Sequence, residues 1–306
     1  MKLGVQLPHF GRLASAGGTS RIARDAAALG FDSVWVGDHV VYPAVLAERF
    51  GETFLEAVTT LACVAAAVPR VGLGTAVLVL PYHHPVRLAR QLATIAAFAG
   101  DRLVVGVGAG WLEEEHRALG APWRERGAYT DESIRVMRAL WTEDRPRFDG
   151  RWVTLPEVVF GPRPAAPPPL WVGGNSSRAL RRAALLGDGW LPIWHAPTGR
   201  GFTPEALRAR AAEMAEMRAR AGRPGRGEVA ALMPLAITER ARPGPSQPLV
   251  GPAEAIVEML GRYREAGLGH VVLSPYYGVD PALAPVNLAR VVALLERFAR
   301  DVAPKL

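Results

Sequence analysis

The chain has 306 residues, 49% hydrophobic and 21% charged, a balance that supports a large buried core. Its formal charge is +7, yet no basic run is interleaved with aromatic residues, which argues against nucleic acid. A single cysteine excludes a disulfide framework, and no polar-free stretch reaches the length of a membrane span.

Leu3–Leu7 reads as a first strand stopped by Pro8, followed by a glycine-rich loop over Phe10–Gly18. Thr19 or Ser20 is the expected cap of a helix closed by Gly30. Ser33–Val36 is a second strand running into Gly37-Asp38-His39, with a helix over Glu52–Val68 behind it. In that helix Cys63 reads as a small buried hydrophobe. Val71–Leu80 is a near-continuous apolar run, as expected of a strand covered on both faces. Gly72 and Gly74 mark a bulge or a close backbone approach. Pro85 starts a helix to about Phe98, with Val86, Leu88, Leu92 and Ile95 inward. Arg102–Val107 opens into Gly108-Ala109-Gly110-Trp111, and Glu125–Trp141 is the next helix.

The rhythm breaks over Thr142–Pro169, a proline-rich insertion in which Asp149-Gly150 predicts a hairpin. It resumes with Leu170–Val172, Gly173–Ser177 and a helix to Leu186. Then come the strand Gly189–Ile193, a helix from Thr203 to Ala221, and the strand Val229–Ile237. A second proline-rich loop spans Arg240–Leu249. The helix Pro252–Ala266, the strand His270–Leu273 and a helix over Val286–Val302 complete the chain. Eight strand–helix units of this length favour an α/β (β/α)8 TIM barrel, one domain over residues 1–306, with its site where strands end. An open doubly wound sheet is the alternative, but no G-x-G-x-x-G follows the first strand.

The strand ends are therefore the candidate site. Asp38 beside His39 can hold a tautomer and tune a proton donor, or serve as a loop cap and a wall residue. Gly173-Gly174-Asn175-Ser176-Ser177 suits a phosphate at a helix start, or is a tight turn with a serine cap. Glu113-Glu114-Glu115 reads as a solvated first turn from which Glu114 could face the mouth. His83 and His84 lack a third ligand at a useful spacing, so no metal is expected. No G-x-S-x-G elbow is present. The arginine excess, with Lys2 and Lys305 the only lysines, fits solvated helix faces or a polyanionic ligand.

Several stretches together resemble the bacterial luciferase-like monooxygenases, and more closely their coenzyme F420-dependent oxidoreductases. They are Val34-Trp35-Val36-Gly37-Asp38-His39, Leu73-Gly74-Thr75-Ala76-Val77, Pro81-Tyr82-His83-His84-Pro85, Gly106-Val107-Gly108-Ala109-Gly110-Trp111, Trp171-Val172-Gly173-Gly174-Asn175-Ser176 and Gly187-Asp188-Gly189-Trp190. The resemblance implies a (β/α)8 barrel and coenzyme F420, a 5-deazaflavin hydride carrier with a phosphate and a glutamate tail. An FMN-dependent monooxygenase and a ligand-binding barrel without turnover are the alternatives. It places Asp38, His39 and Glu114 at the ring and the chemistry, and Ala76, Val77, Leu78 and Val79 behind the ring, with a cis peptide at Ala76–Val77. It places Gly173, Gly174, Ser176 and Ser177, with Asn175 in the same turn, near the phosphate. Trp111 stands where sugar-phosphate dehydrogenases of the family carry an acidic glutamate. Phe10, Tyr42, Trp111, Trp194, Tyr276 and Tyr277, with His195, suggest a pocket for a small apolar or aromatic substrate. A homodimer is usual in such families. The N-terminus MKLGVQLP does not read as a signal peptide, so a cytoplasmic protein is expected.

Overall fold

The computed structural model describes residues 1–194, 201–239 and 249–306. His195 and nearly all of the expected loop Arg240–Leu249 lie outside the described residues. Eight parallel strands close on themselves: β1 Lys2–Gln6, β2 Ser33–Val36, β3 Gly72–Thr75 with its continuation Leu78–Val79, β4 Leu103–Gly108, β5 Leu170–Gly173, β6 Gly189–Leu191, β7 Glu228–Pro234 and β8 His270–Ser274. Neighbours in sequence are neighbours in the sheet, and β8 returns to β1 with Lys2 opposite His270 and Val5 opposite Leu273. Around them run α1 Ala16–Ala28, α2 Ala57–Ala67, α3 Pro85–Ala99, α4 Arg126–Thr142, α5 Ser177–Leu185, α6 Pro204–Arg220, α7 Ala253–Glu265 and α8 Leu288–Asp301. This is the (β/α)8 barrel expected from the alternating pattern.

Two apolar layers hold it together. The larger lies between strands and helices, where Leu88, Leu92 and Ile95 of α3 and Ile134, Met137 and Leu140 of α4 are buried. The smaller fills the barrel, where Trp35 and Trp171 stack at 5.6 Å beside Leu191, Leu232 and Val272. Gly74 is required by that filling: a Cβ there would lie 2.3 Å from the Trp35 ring. Gly74 of β3 thus marks a close approach, here to a side chain.

Some local expectations are revised. α1 starts earlier than expected because Ser15, not Thr19 or Ser20, caps it by accepting from Gly18 N at 3.1 Å; the Thr19 hydroxyl donates to Pro8 O instead. Cys63 is exposed, because Leu61, Val64 and Ala65 form the inner face of α2 and Cys63 falls outside it. The Ala76–Val77 peptide bond is cis, at the break between the two segments of β3. Between α4 and β5, Phe148–Asp149 pairs antiparallel with Thr154–Leu155, and Glu132 of α4 accepts the turn amides of Arg151, Trp152 and Val153 at 2.8–2.9 Å. Among the described residues no helix is long and apolar enough to cross a membrane.

Candidate active site

The C-terminal ends of the strands surround a cavity of about 910 Å³. β2 ends in Gly37-Asp38-His39, and each of the last two residues is held by a partner from another loop. Asp38 is buried, and its Oδ2 accepts from Val79 N at 2.9 Å and from His83 Nε2 at 2.7 Å. Burial lowers the affinity of His83 for a proton, but the Asp38 carboxylate outweighs it and holds the ring above its ordinary pKa. His39 Nδ1 lies 2.7 Å from Glu115 Oε2 and must donate, since an ionised carboxylate only accepts.

Glu115 comes from the short helix Glu113–Ala118 after β4 and has no exposed surface. It also accepts from the amides of Val40 and Val41 and from the Tyr82 hydroxyl. Burial pushes its carboxyl up, yet bonds from His39, Val40 and Tyr82 prevail and hold it below the usual carboxylate range. With Nδ1 committed, His39 Nε2 is left without a hydrogen-bond partner among the described residues, on a ring that lines the cavity. His9 supports this corner from the loop after β1. Its Nδ1 donates to Leu7 O and its Nε2 accepts from Gly37 N at 2.7 Å, and burial lowers its pKa to about 4.

Phe10, Phe50, Phe54, Trp111 and Tyr277 make one side of the cavity aromatic. Phe50 stacks on Tyr277 at 6.4 Å, and Trp111 meets His39 edge-on at 5.9 Å. Ala76, Val77 and Val79 form the back wall. Val77 is pinned there by glycines: a Cβ on Gly173 would come within 2.6 Å of it, and one on Gly108 within 2.9 Å. Besides His39 Nε2, a second polar atom of this surround has no partner among the described residues. Asp38 Oδ1 is buried and accepts nothing, which marks a place for a donor brought by a ligand.

The cavity continues to the turn between β5 and α5. Gly174 there has φ of +114°, and Asn175 bonds both polar groups of its side chain to the backbone of Ile193. Ser176 caps α5 by accepting from Ala179 N at 3.1 Å. The hydroxyl of Ser176 is thereby used, as is Ala179 N, and the amides of Ser177 and Arg178 at the start of α5 are the donors left for an anion. Beyond them the cavity is lined by Arg124, Arg126, Arg135, Arg178, Arg181 and Arg182, with Glu125 and Asp131 the carboxylates among them.

The structure thus gathers Phe10, Asp38, His39, Ala76, Val77, Val79, Trp111, Gly173, Gly174, Asn175 and Ser176 around one cavity. Six other expected residues do not line it. Glu114 is exposed, and its neighbour Glu115 faces His39 instead. Leu78 turns into the helix-side core, as alternation along a strand demands beside Val77 and Val79. Ser177 is exposed and bonded by Arg210, while Trp194 packs in the helix-side core. Tyr42 donates to Gly51 O and touches His39 from behind at 6.0 Å. Tyr276 lines a neighbouring cavity of about 760 Å³, its hydroxyl buried without a partner among the described residues. Glu115, Phe50, Phe54 and the arginines of α4 and α5 were not legible as site residues, because they lie outside the strand ends.

The mouth of this closed parallel barrel joins a histidine–carboxylate corner to a glycine turn and an arginine cleft in one elongated cavity. The chain belongs to the luciferase-like monooxygenase family, whose model matches residues 1–242. It is 36% identical over 166 residues to an F420-dependent glucose-6-phosphate dehydrogenase of Beutenbergia cavernae, covering 53% of this chain and 48% of that enzyme. The chain thus spans about half the length of the curated dehydrogenases it matches. Its fold follows that of a monooxygenase from Streptomyces bottropensis, with a TM-score of 0.82 at 20% identity over 99% of both chains. It also follows an F420-dependent secondary alcohol dehydrogenase solved with an F420–acetone adduct, with a TM-score of 0.81 at 20% identity over 99% and 98% of the two chains.

Proposed function

We propose that this chain is a coenzyme F420-dependent oxidoreductase that moves a hydride between the deazaflavin and a small apolar or aromatic substrate. One observation carries the reading. A single cavity joins the Ala76–Val77–Val79 wall and the orphaned Asp38 oxygen to the Gly173–Ser176 turn. A cofactor made of a flat ring, a linker and a phosphate finds a surface for each part: a ring N–H for Asp38 Oδ1, and a phosphate for the first-turn amides of α5. The named dehydrogenase relatives support F420 over FMN.

When bound, the deazaflavin supplies the hydride-carrying ring. The chain's own residues orient, exclude water and move the proton. Glu115 holds His39 in one tautomer, so Nε2 is the atom that exchanges a proton with a substrate oxygen. Asp38 Oδ2 sits between His83 and Val79 N and serves as an acceptor, not as the orienter of His39. Phe10, Phe50, Phe54, Trp111 and Tyr277 shape the space left for substrate. Their character, with Trp111 in place of the glutamate of sugar-phosphate enzymes, favours an apolar substrate over a sugar phosphate.

Titration of the purified protein with both cofactors tests this. F420 is expected to bind with a Kd of about 1 µM or tighter, about −8 kcal/mol, and its deazaflavin absorbance to fall on reduction by a substrate alcohol. Binding of FMN without binding of F420 would overturn the assignment.

A further inference from the structure

We propose that the cleft between α4 and α5 is a subsite for a chain of carboxylates, the glutamate tail of the cofactor; this rests on the F420 reading above. α5 presents Arg178, Arg181 and Arg182 at i, i+3 and i+4, one helical face, and that face lines the cavity. Opposite it, Asp131 and Arg135 share a face of α4 by the same spacing. Two of the arginines are committed. Arg182 pairs with Asp131 and donates to Gly127 O at 2.9 Å, and Arg126 donates to Trp123 O at 2.9 Å and lies over its ring.

Arg124, Arg135, Arg178 and Arg181 have no hydrogen-bond or ion-pair partner among the described residues. The carboxylates lining the cleft cannot serve them, since Asp131 holds Arg182 and Glu125 holds Arg151. Elsewhere arginines meet acids, as Arg138 meets Asp188 and Arg262 meets Glu205. Four uncompensated guanidiniums around one cleft repel each other until anions arrive. They are stepped along two helices and a loop rather than aimed at one point, which suits several separated carboxylates better than a single phosphate. Gly127 lets Arg182 lie close against α4: a Cβ there would approach the Arg182 guanidinium to 3.1 Å. The cleft is continuous with the Gly173–Ser176 turn, so a tail leaving a phosphate there runs directly into it.

The test compares deazaflavin cofactors carrying zero, two and six glutamates, using quenching of their fluorescence to measure Kd. The six-glutamate form is expected to bind roughly tenfold more tightly than the tailless one, as a few exposed ion pairs allow. In Arg178→Gln/Arg181→Gln the advantage should shrink to about twofold while the tailless Kd stays unchanged, and about 0.5 M salt should have the same effect on the native chain. Arg178→Lys/Arg181→Lys should keep most of the advantage, and Arg220→Gln on α6 all of it. Equal affinity for every tail length, or an advantage that survives the double glutamine variant, overturns the tail subsite alone. Failure of every deazaflavin form to bind overturns the cofactor assignment and the subsite with it.

Discussion

His39 is positioned by a carboxylate that does not neighbour it in sequence. The bond to Glu115 fixes the ring and leaves Nε2 without a hydrogen-bond partner among the described residues; in the proposed function that atom exchanges the proton. His39→Ala is expected to lower turnover about a hundredfold, the scale of general acid–base catalysis, with F420 affinity changed less than about tenfold. The pair Glu114 and Glu115 gives the sharper test. Glu115→Gln keeps the shape but removes the charge that holds the imidazole, so turnover should fall about tenfold or more and the pH profile of kcat should shift. Glu114→Gln, on an exposed side chain, should leave turnover and melting temperature unchanged. Comparable loss in both variants would show that the loop as a whole matters, rather than the Glu115–His39 contact.

At the scale of the elements, eight strands and eight helices were legible because strands buried on both faces read as continuous apolar runs between turn residues. Side-chain phase in the loops was not. Glu113-Glu114-Glu115 and Tyr276-Tyr277 each present adjacent candidates of the same type, and only the folded backbone turns Glu115 to His39 and Tyr277 to the cavity. Phe50 and Phe54 reach it from the long connection between β2 and α2, and the arginines of α4 and α5 look like ordinary solvated helix residues until two helices bring them together. Two glycines show how such context decides a substitution. A Cβ on Gly106 of β4 would sit 1.9 Å from Thr75 O, a backbone atom of β3 that cannot give way. Gly106→Ala should cost about 3 kcal/mol or more, by displacing strands at the barrel mouth. Gly261 lies within α7 with none of the described residues beyond its own helix within 4 Å of its missing Cβ, so Gly261→Ala should stabilise by about 0.5–1 kcal/mol. Urea midpoints moving in opposite directions would bear this out; two losses of similar size would refute it.

For the molecule as a whole, two neutral histidines sit at opposite ends of the barrel, His9 beyond the end of β1 and His270 at the start of β8. Burial lowers each to a pKa of about 4 from an ordinary 6.5. His9 is locked in one tautomer, since Nε2 accepts from Gly37 N, and a second proton would face that N–H. His270 sits with its Nε2 2.9 Å from the Ser33 hydroxyl, edge-on to Trp35 and Trp171. Between pH 6.5 and 4 the unfolded chain carries protons that the folded chain refuses, so stability rises with pH across that window and is lost as pH falls through it. Each histidine can contribute up to roughly 3 kcal/mol. Glu115, held low in the fold, acts in the same direction below the carboxylate range, whereas His83, held high, stabilises the fold in acid and partly offsets the loss. The urea midpoint should therefore drop steadily from pH 7 to pH 5, while imidazole NMR signals of His9 and His270 stay neutral in the folded protein. Because His9 carries Gly37, the residue before Asp38 and His39, activity should fail in acid no later than the fold does. A midpoint that is flat, or that rises with acid, would mean that these two rings do not set the acid limit of the barrel.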